Sequence, residues 1–314
     1  MTSLDVQVRE LGEQLSHYGQ CYLLIDPYLT EPLEDTLATV ADEDRIAIPI
    51  THPALTPDQR PRLIRIRASN VELIRASVRE SCREQGDPEN EVSTGWAIGG
   101  WLFTREPAER VARHLAGVMT LRAPSEPRPR YMRWADPRVL AWLWPALDTQ
   151  QQAQLIGPID AWWTLTRKPE WAIYEAVDQE LSVPSPDGYL RLSAAQWKTA
   201  ARGENVHALV RAWQLMTEAL PADYLARASR LIEQCEAQGL TRASDSQVLA
   251  LCCLQVHPRL MAHSRIRACI DQARVSDIPL ADALASIENP DGWQRIQAEL
   301  DDPAFVRSTE PVAS

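Results

Sequence analysis

The hydrophobic pattern divides the chain into an amino-terminal part with both strand and helix periods and a later part with the helix period alone. Near the amino terminus, apolar residues recur at helical spacing and predict an amphipathic helix. They are Leu4, Val8, Leu11 and Leu15. The following run, 21–25, is apolar at every position, as in a strand buried on both faces, and Asp26-Pro27 ends it.

Further strands and helices alternate as far as position 181. Short apolar or alternating runs predict strands at 46–50, 62–67, 95–104, 162–165 and 171–174. Helices are predicted after Asn70, from Pro107, and after Asp148, where Gln151 completes a capping box. The stripe of the first of these helices is expected at Val71, Ile74, Val78 and Cys82. The polar stretch 84–94 is predicted as a loop. These elements predict an α/β (α+β) lobe with a mixed sheet over residues 1–181.

The segment 131–147 combines both periods in one place. Residues 131–134 alternate, as in a strand with two unlike faces. Helical spacing then follows at Leu140, Leu143, Trp144 and Leu147. Between the two, Asp136 can cap the helix by accepting a hydrogen bond from an amide two or three residues on. Pro137 suits the first helical position, because no amide hydrogen is needed there. We therefore predict a strand-to-helix junction at Asp136-Pro137.

Beyond position 181 the pattern becomes almost wholly helical. A turn-rich linker is predicted at 182–188, and Ser193 with Gln196 forms a capping box at the start of the next helix. The third helix after the linker is expected to bury Val248, Leu251 and Cys252. We predict an all-α lobe at 189–301 and a frayed tail at 302–314.

The composition indicates a folded, acidic protein. The apolar fraction is 45% and glycines number only 12, which fits a globular chain rather than a disordered one. The net charge of −11 disfavours a nucleic-acid binder, because counterion release needs clustered Lys and Arg. Only two of the 32 basic residues are lysines, Lys168 and Lys198. The arginine bias is compatible with planar contacts to a partner and equally with a GC-rich genome.

We expect a cytoplasmic protein that does not enter a membrane. The amino terminus lacks the basic region and apolar core of a signal peptide. No stretch approaches the roughly 18 apolar residues of a membrane span. The six cysteines have no framework spacing and are typical of buried thiols in a reducing compartment.

The sequence offers few candidates for catalysis or metal binding. It contains no Walker-type phosphate loop, nucleophile elbow, HExxH motif or CxxC pair. Two thiols and two imidazoles form the best metal-like group, Cys252, Cys253, His257 and His263. Neighbouring helical residues point about 100° apart, so we predict no metal site. Asp26 and Asp136 could form an acid-base pair, but each precedes proline, which favours capping. We expect no catalytic residues and no cofactor.

Arginine and tryptophan supply the candidates for partner binding. Arg133 and Arg138 flank Asp136. They either form salt bridges that order the junction or offer an anchor to a partner's acidic group, and the sequence leaves both interpretations open. Trp142 and Trp144 lie about 200° apart on a helix, so one of them is predicted to contact another element or a partner. The candidate partner-binding residues are Arg133, Trp134, Arg138 and Trp142.

The order of these motifs resembles a known family. The junction supplies Arg133, Trp134, Asp136-Pro137-Arg138 and Val139-Leu140, with Gly157-Pro158-Ile159 further on. Upstream lie YLLIDPYL at 22–29 and GWAIGGWLFT followed by HLAGVMTLRAP. Over roughly 21–174, this series is similar to the type VI secretion adaptor-chaperone family, often called Tap or Tec.

The resemblance implies a non-enzymatic, cytoplasmic adaptor or chaperone that binds a type VI secretion effector and helps load it onto the VgrG spike. It implies that the first lobe carries the shared architecture and the helical lobe adds an effector-specific surface. Its structural motif residues would be Asp26, Asp136, Pro137, Gly157 and Pro158. No nucleic acid and no membrane partner are expected. The alternatives are a hydrolase-like enzyme that uses Asp26 and Asp136, and a general helical scaffold for protein interactions.

Overall fold

The computed structural model describes residues 3–123, 126, 128–176 and 190–302. It confirms the predicted fold class, an amino-terminal sheet with helices followed by an all-helical region. The strands are β1 (Cys21–Ile25), β2 (Arg45–Ala47), β3 (Arg62–Ile66), β4 (Ile98–Phe103), β5 (Thr120–Leu121), β6 (Arg130–Tyr131), β7 (Ala161–Leu165) and β8 (Trp171–Tyr174). The helices are α1 (Ser3–Tyr18), α2 (Glu34–Ala38), α3 (Val71–Gly86), α4 (Glu91–Thr94), α5 (Ala108–Val118), α6 (Pro137–Leu143), α7 (Thr149–Ile156), α8 (Ala194–Met216), α9 (Tyr224–Glu236), α10 (Ala243–Gln255), α11 (Ser264–Ser276), α12 (Leu280–Leu284) and α13 (Asp291–Asp301).

Six strands form the main sheet in the order β2-β3-β1-β4-β7-β8. Each neighbouring pair runs antiparallel. β1 lies inside the sheet, between β3 and β4, and all five of its residues are buried. The strand predicted from the continuous apolar run is therefore confirmed, and it is continuous because both of its faces are covered.

Each face of the sheet has its own hydrophobic core. The odd-numbered residues of β1 pack on one face with α1 and α3, through side chains such as Leu11 and Ile74. The even-numbered residues pack on the other face with α5 and α7, through side chains such as Leu115 and Leu155. Alternate side chains of a strand point to opposite faces, so one short run contributes to two cores. Each fully buried aliphatic side chain contributes about 1.5–3 kcal/mol.

β4 contains two glycines at positions where a side chain does not fit. Gly100 has φ +118°, and a Cβ there would meet the carbonyl oxygen of Trp163 on β7. A Cβ on Gly99 would lie 2.6 Å from the carbonyl oxygen of Ala135. The β1–β4 register shifts between Leu24 and Ile25, which leaves Gly99 as the extra residue. β4 therefore carries a bulge at Gly99, and both glycines lie where another part of the backbone approaches closely.

Three local predictions for the amino-terminal part are wrong. The stretch 84–94 is not a loop, since α3 continues to Gly86 and α4 occupies 91–94. The strand expected over 131–134 is limited to β6, because the chain turns over residues 133–136. Val71 is exposed, so the stripe of α3 begins further along the helix. Spacing alone therefore misplaces these helix and strand limits and one buried position.

The carboxy-terminal region is helical throughout its described residues. By their internal contacts, Met1–Gly203 and Glu204–Ser314 form two compact units, and α8 contains the boundary. The predicted linker, 182–188, and the tail from 303 onward lie outside the described residues, so the predicted domain limits of 1–181, 189–301 and 302–314 stay predictions. Among the described helices, none is both long enough and apolar enough to cross a membrane.

The buried face of α10 differs from the predicted face by a shift of about one residue along the sequence. Its buried apolar residues are Leu249, Ala250 and Cys253, whereas Val248, Leu251 and Cys252 are only half-buried. α10 packs against both α9 and α12. With neighbours on two sides, its sequence is apolar around most of the helix, so spacing alone does not identify the buried face.

Candidate functional site

A cluster of alternating charges lies at one end of the main sheet. In this antiparallel arrangement the end of β1, the start of β4 and the end of β7 meet at the same edge. The loop before α6 and the short helix α4 contribute the remaining side chains. We call this group the ion cluster, and it contains Asp26, Glu91, Arg133, Asp136, Arg138 and Arg167.

Asp136 begins α6 as the sequence predicts. Its Oδ1 accepts a hydrogen bond of 3.0 Å from the Arg138 amide, and Pro137 occupies the first helical turn. The Arg138 side chain then folds back on the same carboxylate, with Nε 2.9 Å from Oδ1 and an Nη atom 2.6 Å from Oδ2. The cap therefore fixes both the helix start and the direction of the arginine.

Arg133 joins the end of β1 to this junction. Its Nε donates to Oδ2 of Asp26 at 2.9 Å, and one of its Nη atoms lies 2.8 Å from the same oxygen. Its other Nη atom lies 3.8 Å from Oδ2 of Asp136. Asp26 also accepts the amide of Tyr28 at 3.2 Å, so the turn after β1 is closed by the same carboxylate. Asp26 and Asp136, which the sequence suggested as a pair, are brought together by one guanidinium.

Glu91 links two further arginines beneath the junction. Its Oε1 accepts from Arg138 at 2.9 Å, and its Oε2 lies 2.7 Å from an Nη atom of Arg167. The Glu91 and Arg167 side chains are almost completely buried. Both guanidiniums also stack near the Trp96 ring, with the Arg167 and Arg138 carbons 4.7 and 5.3 Å from its centroid. A buried pair of this kind needs such additional contacts to offset desolvation.

The environment shifts the pKa values of these groups in different directions. Burial raises the pKa of Asp26 against the opposing effect of Arg133. Burial would also raise the pKa of Asp136, but the charge and hydrogen bonds of Arg138, with Arg133, hold it below its usual value. For Arg133 and Arg138, the neighbouring carboxylates outweigh burial and raise the pKa, so both guanidiniums stay charged.

Glu84 is a further buried acidic residue close to the start of β4. It lies at the end of α3, and its two carboxyl oxygens accept the amides of Ala97 and Ile98 at 2.8 and 3.2 Å. Burial raises its pKa to about 8, although these two hydrogen bonds act in the opposite direction. Glu84 therefore holds the chain at the entry of β4, directly after Trp96.

The predicted partner-binding residues occupy different environments. Arg133 and Arg138 make intramolecular salt bridges and remain partly exposed. Trp134 is fully buried, and its indole N–H donates to the Val118 carbonyl at 3.0 Å, which leaves it no surface for a partner. Trp142 is half-buried and donates to the Thr199 carbonyl at 2.9 Å.

Both tryptophans of the junction helix contact other elements of the same chain. Trp142 packs over Gly203 of α8, where a Cβ would lie 3.1 Å from the indole. The ring of Trp144 meets that of Tyr174 on β8 edge to face, with centroids 5.1 Å apart. The two side chains therefore leave the helix in different directions, and each contacts another element of the same chain.

The other motif residues, Gly157 and Pro158, end α7. Gly157 has φ +54°, and the His114 ring occupies the place that a Cβ would take. The Pro158 carbonyl accepts a 2.6 Å hydrogen bond from the Thr104 hydroxyl. This segment joins α7 to the end of β4 and lies outside the ion cluster.

Sequence reasoning missed Glu91, Arg167, Trp96 and Glu84. Glu91 and Glu84 fall in the polar stretch that is predicted as a loop, and Arg167 follows a strand by two positions. The only local signal is a pair of charged residues next to strands that are otherwise apolar. Within the described residues, no group of three His, Cys, Asp or Glu side chains is placed to hold a metal ion.

Residues 21–154 match the family model described as Domain of unknown function (DUF4123). No curated protein and no solved structure matches the chain. The matched segment begins at β1, ends within α7 and contains every member of the ion cluster except Arg167. β7 and β8 follow the matched segment but complete the sheet, so the structural domain is longer than the match.

Proposed function

We propose that this chain is a cytoplasmic adaptor of the type VI secretion system, which binds an effector protein and helps load it onto the VgrG spike. The observation that carries the proposal is the match of 21–154 to the DUF4123 family model, since that family is known for effector adaptors of this system. The motifs that gave the resemblance lie in the matched segment or directly after it, on β1, β4, the α6 junction and the end of α7.

The geometry of the ion cluster favours a structural role over catalysis. A general acid or base must reach its substrate, directly or through one water. The carboxylates of Asp26 and Asp136 are buried and already hydrogen-bonded, with Arg133 lying between them. This arrangement supports a structural role for both residues and makes a hydrolase that uses them the weaker proposal.

The test is co-expression with the effector encoded beside this chain, followed by size-exclusion chromatography with mass determination. We expect one stable complex, and we expect the effector to become more soluble when both proteins are made together. A VgrG protein from the same gene cluster is then added to the purified complex. An effector from a different gene cluster is the control and should elute separately.

If this chain and the effector encoded beside it elute separately at micromolar concentration, the adaptor proposal is contradicted. Hydrolysis of a substrate that is lost in a folded Asp136→Ala protein would instead support the enzyme. Retention of the effector complex in the same variant would show that binding does not need an acid-base pair.

A further inference from the structure

The ion cluster has equal numbers of acidic and basic side chains, but only two of the basic ones are partly exposed at its surface. We propose that Tyr28, Leu29, Arg133 and Arg138 form a docking surface for an acidic segment of the carried effector. We call these four residues the sheet-end surface. The inference rests on the proposed adaptor function and adds the place and the chemistry of the contact.

The charge argument comes from unequal exposure within the cluster. The side chains of Arg133 and Arg138 are 22% and 15% exposed. Their carboxylate partners are hidden, with Asp26 and Glu91 at 0% and Asp136 at 4%. An approaching molecule therefore meets the edges of two guanidiniums, while the balancing negative charges lie beneath them. Two arginines presented in this way favour a carboxylate-bearing partner.

The neighbouring side chains supply apolar and aromatic area. The Tyr28 ring lies under the Arg133 guanidinium, with its centroid 4.7 Å from the central carbon of that group. Leu29 follows and is 46% exposed, with its side chain against the Gly95 backbone. Tyrosine and arginine around an aliphatic side chain form a composition typical of interface centres.

These positions suit an acidic segment better than other occupants. The chain as a whole carries a net charge of −11, so a basic partner has many better surfaces to approach. A second copy would bring its own guanidiniums to the same place, and like charges facing each other oppose association. We therefore assign the surface to a stretch of the effector that carries Asp or Glu next to an apolar side chain.

The experiment compares opposite charges at one exposed position. Leu29→Glu and Leu29→Arg are purified, and their affinity for the co-encoded effector is measured by calorimetry at low and high ionic strength. We expect Leu29→Glu to bind roughly tenfold or more weakly than Leu29→Arg, because it repels the acidic segment. The difference should shrink at high ionic strength, where screening is stronger.

Three further variants keep the result interpretable. Thr30→Glu and Thr30→Arg repeat the comparison at the next exposed residue, in case the Leu29 proteins fold poorly. Val275→Glu is the matched control, since Val275 is 86% exposed and belongs to the other compact unit. We expect its affinity to equal that of the unchanged protein. Each variant is first checked for an unchanged melting temperature.

The outcomes separate this inference from the adaptor function. If the unchanged protein binds the effector and both charges at position 29 or 30 leave affinity unaltered, the surface is wrong and the adaptor function stands. If both charges weaken binding equally, the acidic character of the partner segment is wrong. If the unchanged protein does not bind the effector at all, the proposed function falls and this inference falls with it.

Discussion

Replacing Arg167 by Met tests whether the ion cluster holds the sheet end together. The Arg167 side chain is 1% exposed, lies 2.7 Å from the Glu91 carboxylate and stacks on Trp96. Methionine fills much of the same volume but carries no charge. The substitution leaves Glu91 with Arg138 as its remaining charged partner in the cluster, at 2.9 Å.

The expected cost follows from burial and charge balance. Removing one member of a buried ion pair costs about 3–5 kcal/mol when the other charge is left unpaired. Because Arg138 still contacts Glu91, we expect the lower end, about 3 kcal/mol of the free energy of unfolding. The double variant Arg167→Met with Glu91→Gln restores equal numbers of acidic and basic members. It should therefore be less destabilised than the sum of the single variants, by about 1–2 kcal/mol.

Urea unfolding followed by tryptophan fluorescence is a suitable assay. Nine of the 11 tryptophans precede Glu204, so the signal reports mainly on the first compact unit. Arg110→Met is the matched control, because the Arg110 side chain is 59% exposed in its pair with Glu106. That substitution should cost less than about 1 kcal/mol. Equal costs for Arg167→Met and Arg110→Met, or strict additivity in the double variant, would refute this reasoning.

Three further predictions concern a glycine, a buried acid and a tryptophan. Gly100→Ala should lower the free energy of unfolding by several kcal/mol, measured by thermal melting, because its Cβ would strike a carbonyl oxygen and the residue has positive φ. Gly117→Ala in α5 has open space around it and should raise that free energy by up to about 1 kcal/mol. The folded pKa of Glu84 lies above its unfolded value, so stability should fall as pH rises from about 4.5 to about 8, and Glu84→Gln should lose that slope in urea titrations. Trp142→Phe should cost about 1 kcal/mol in the same titrations, since the bond to the Thr199 carbonyl is lost.

Each of these predictions has a clear contrary result. Equal melting temperatures for the two glycine variants would show that β4 and β7 can separate locally. A pH profile that is the same for the unchanged protein and Glu84→Gln would mean that this carboxyl titrates as it does in the unfolded chain. If Trp142→Phe is as stable as the unchanged protein, the indole hydrogen bond to Thr199 does not contribute to holding α8.

The sequence by itself determined the local features of this protein. The apolar run of β1, the Asp136-Pro137 cap and the capping boxes at Asp148 and Ser193 all appear in the structure where the residues predict them. These features depend on side chains within about four positions of each other, so spacing is enough to specify them. The resemblance over 21–174 likewise rests on contiguous motifs.

Only the tertiary structure decided which distant charges meet. Glu91 lies in a polar stretch that shows no period, and it is buried where it contacts Arg138 of α6 and Arg167, which follows β7 by two positions. Trp134 belongs to the core because the chain turns after β6 instead of continuing as a strand. A charge is buried only where its partner is also present, and that partner is distant in sequence. The ion cluster, and the sheet-end surface beside it, are therefore properties of the fold.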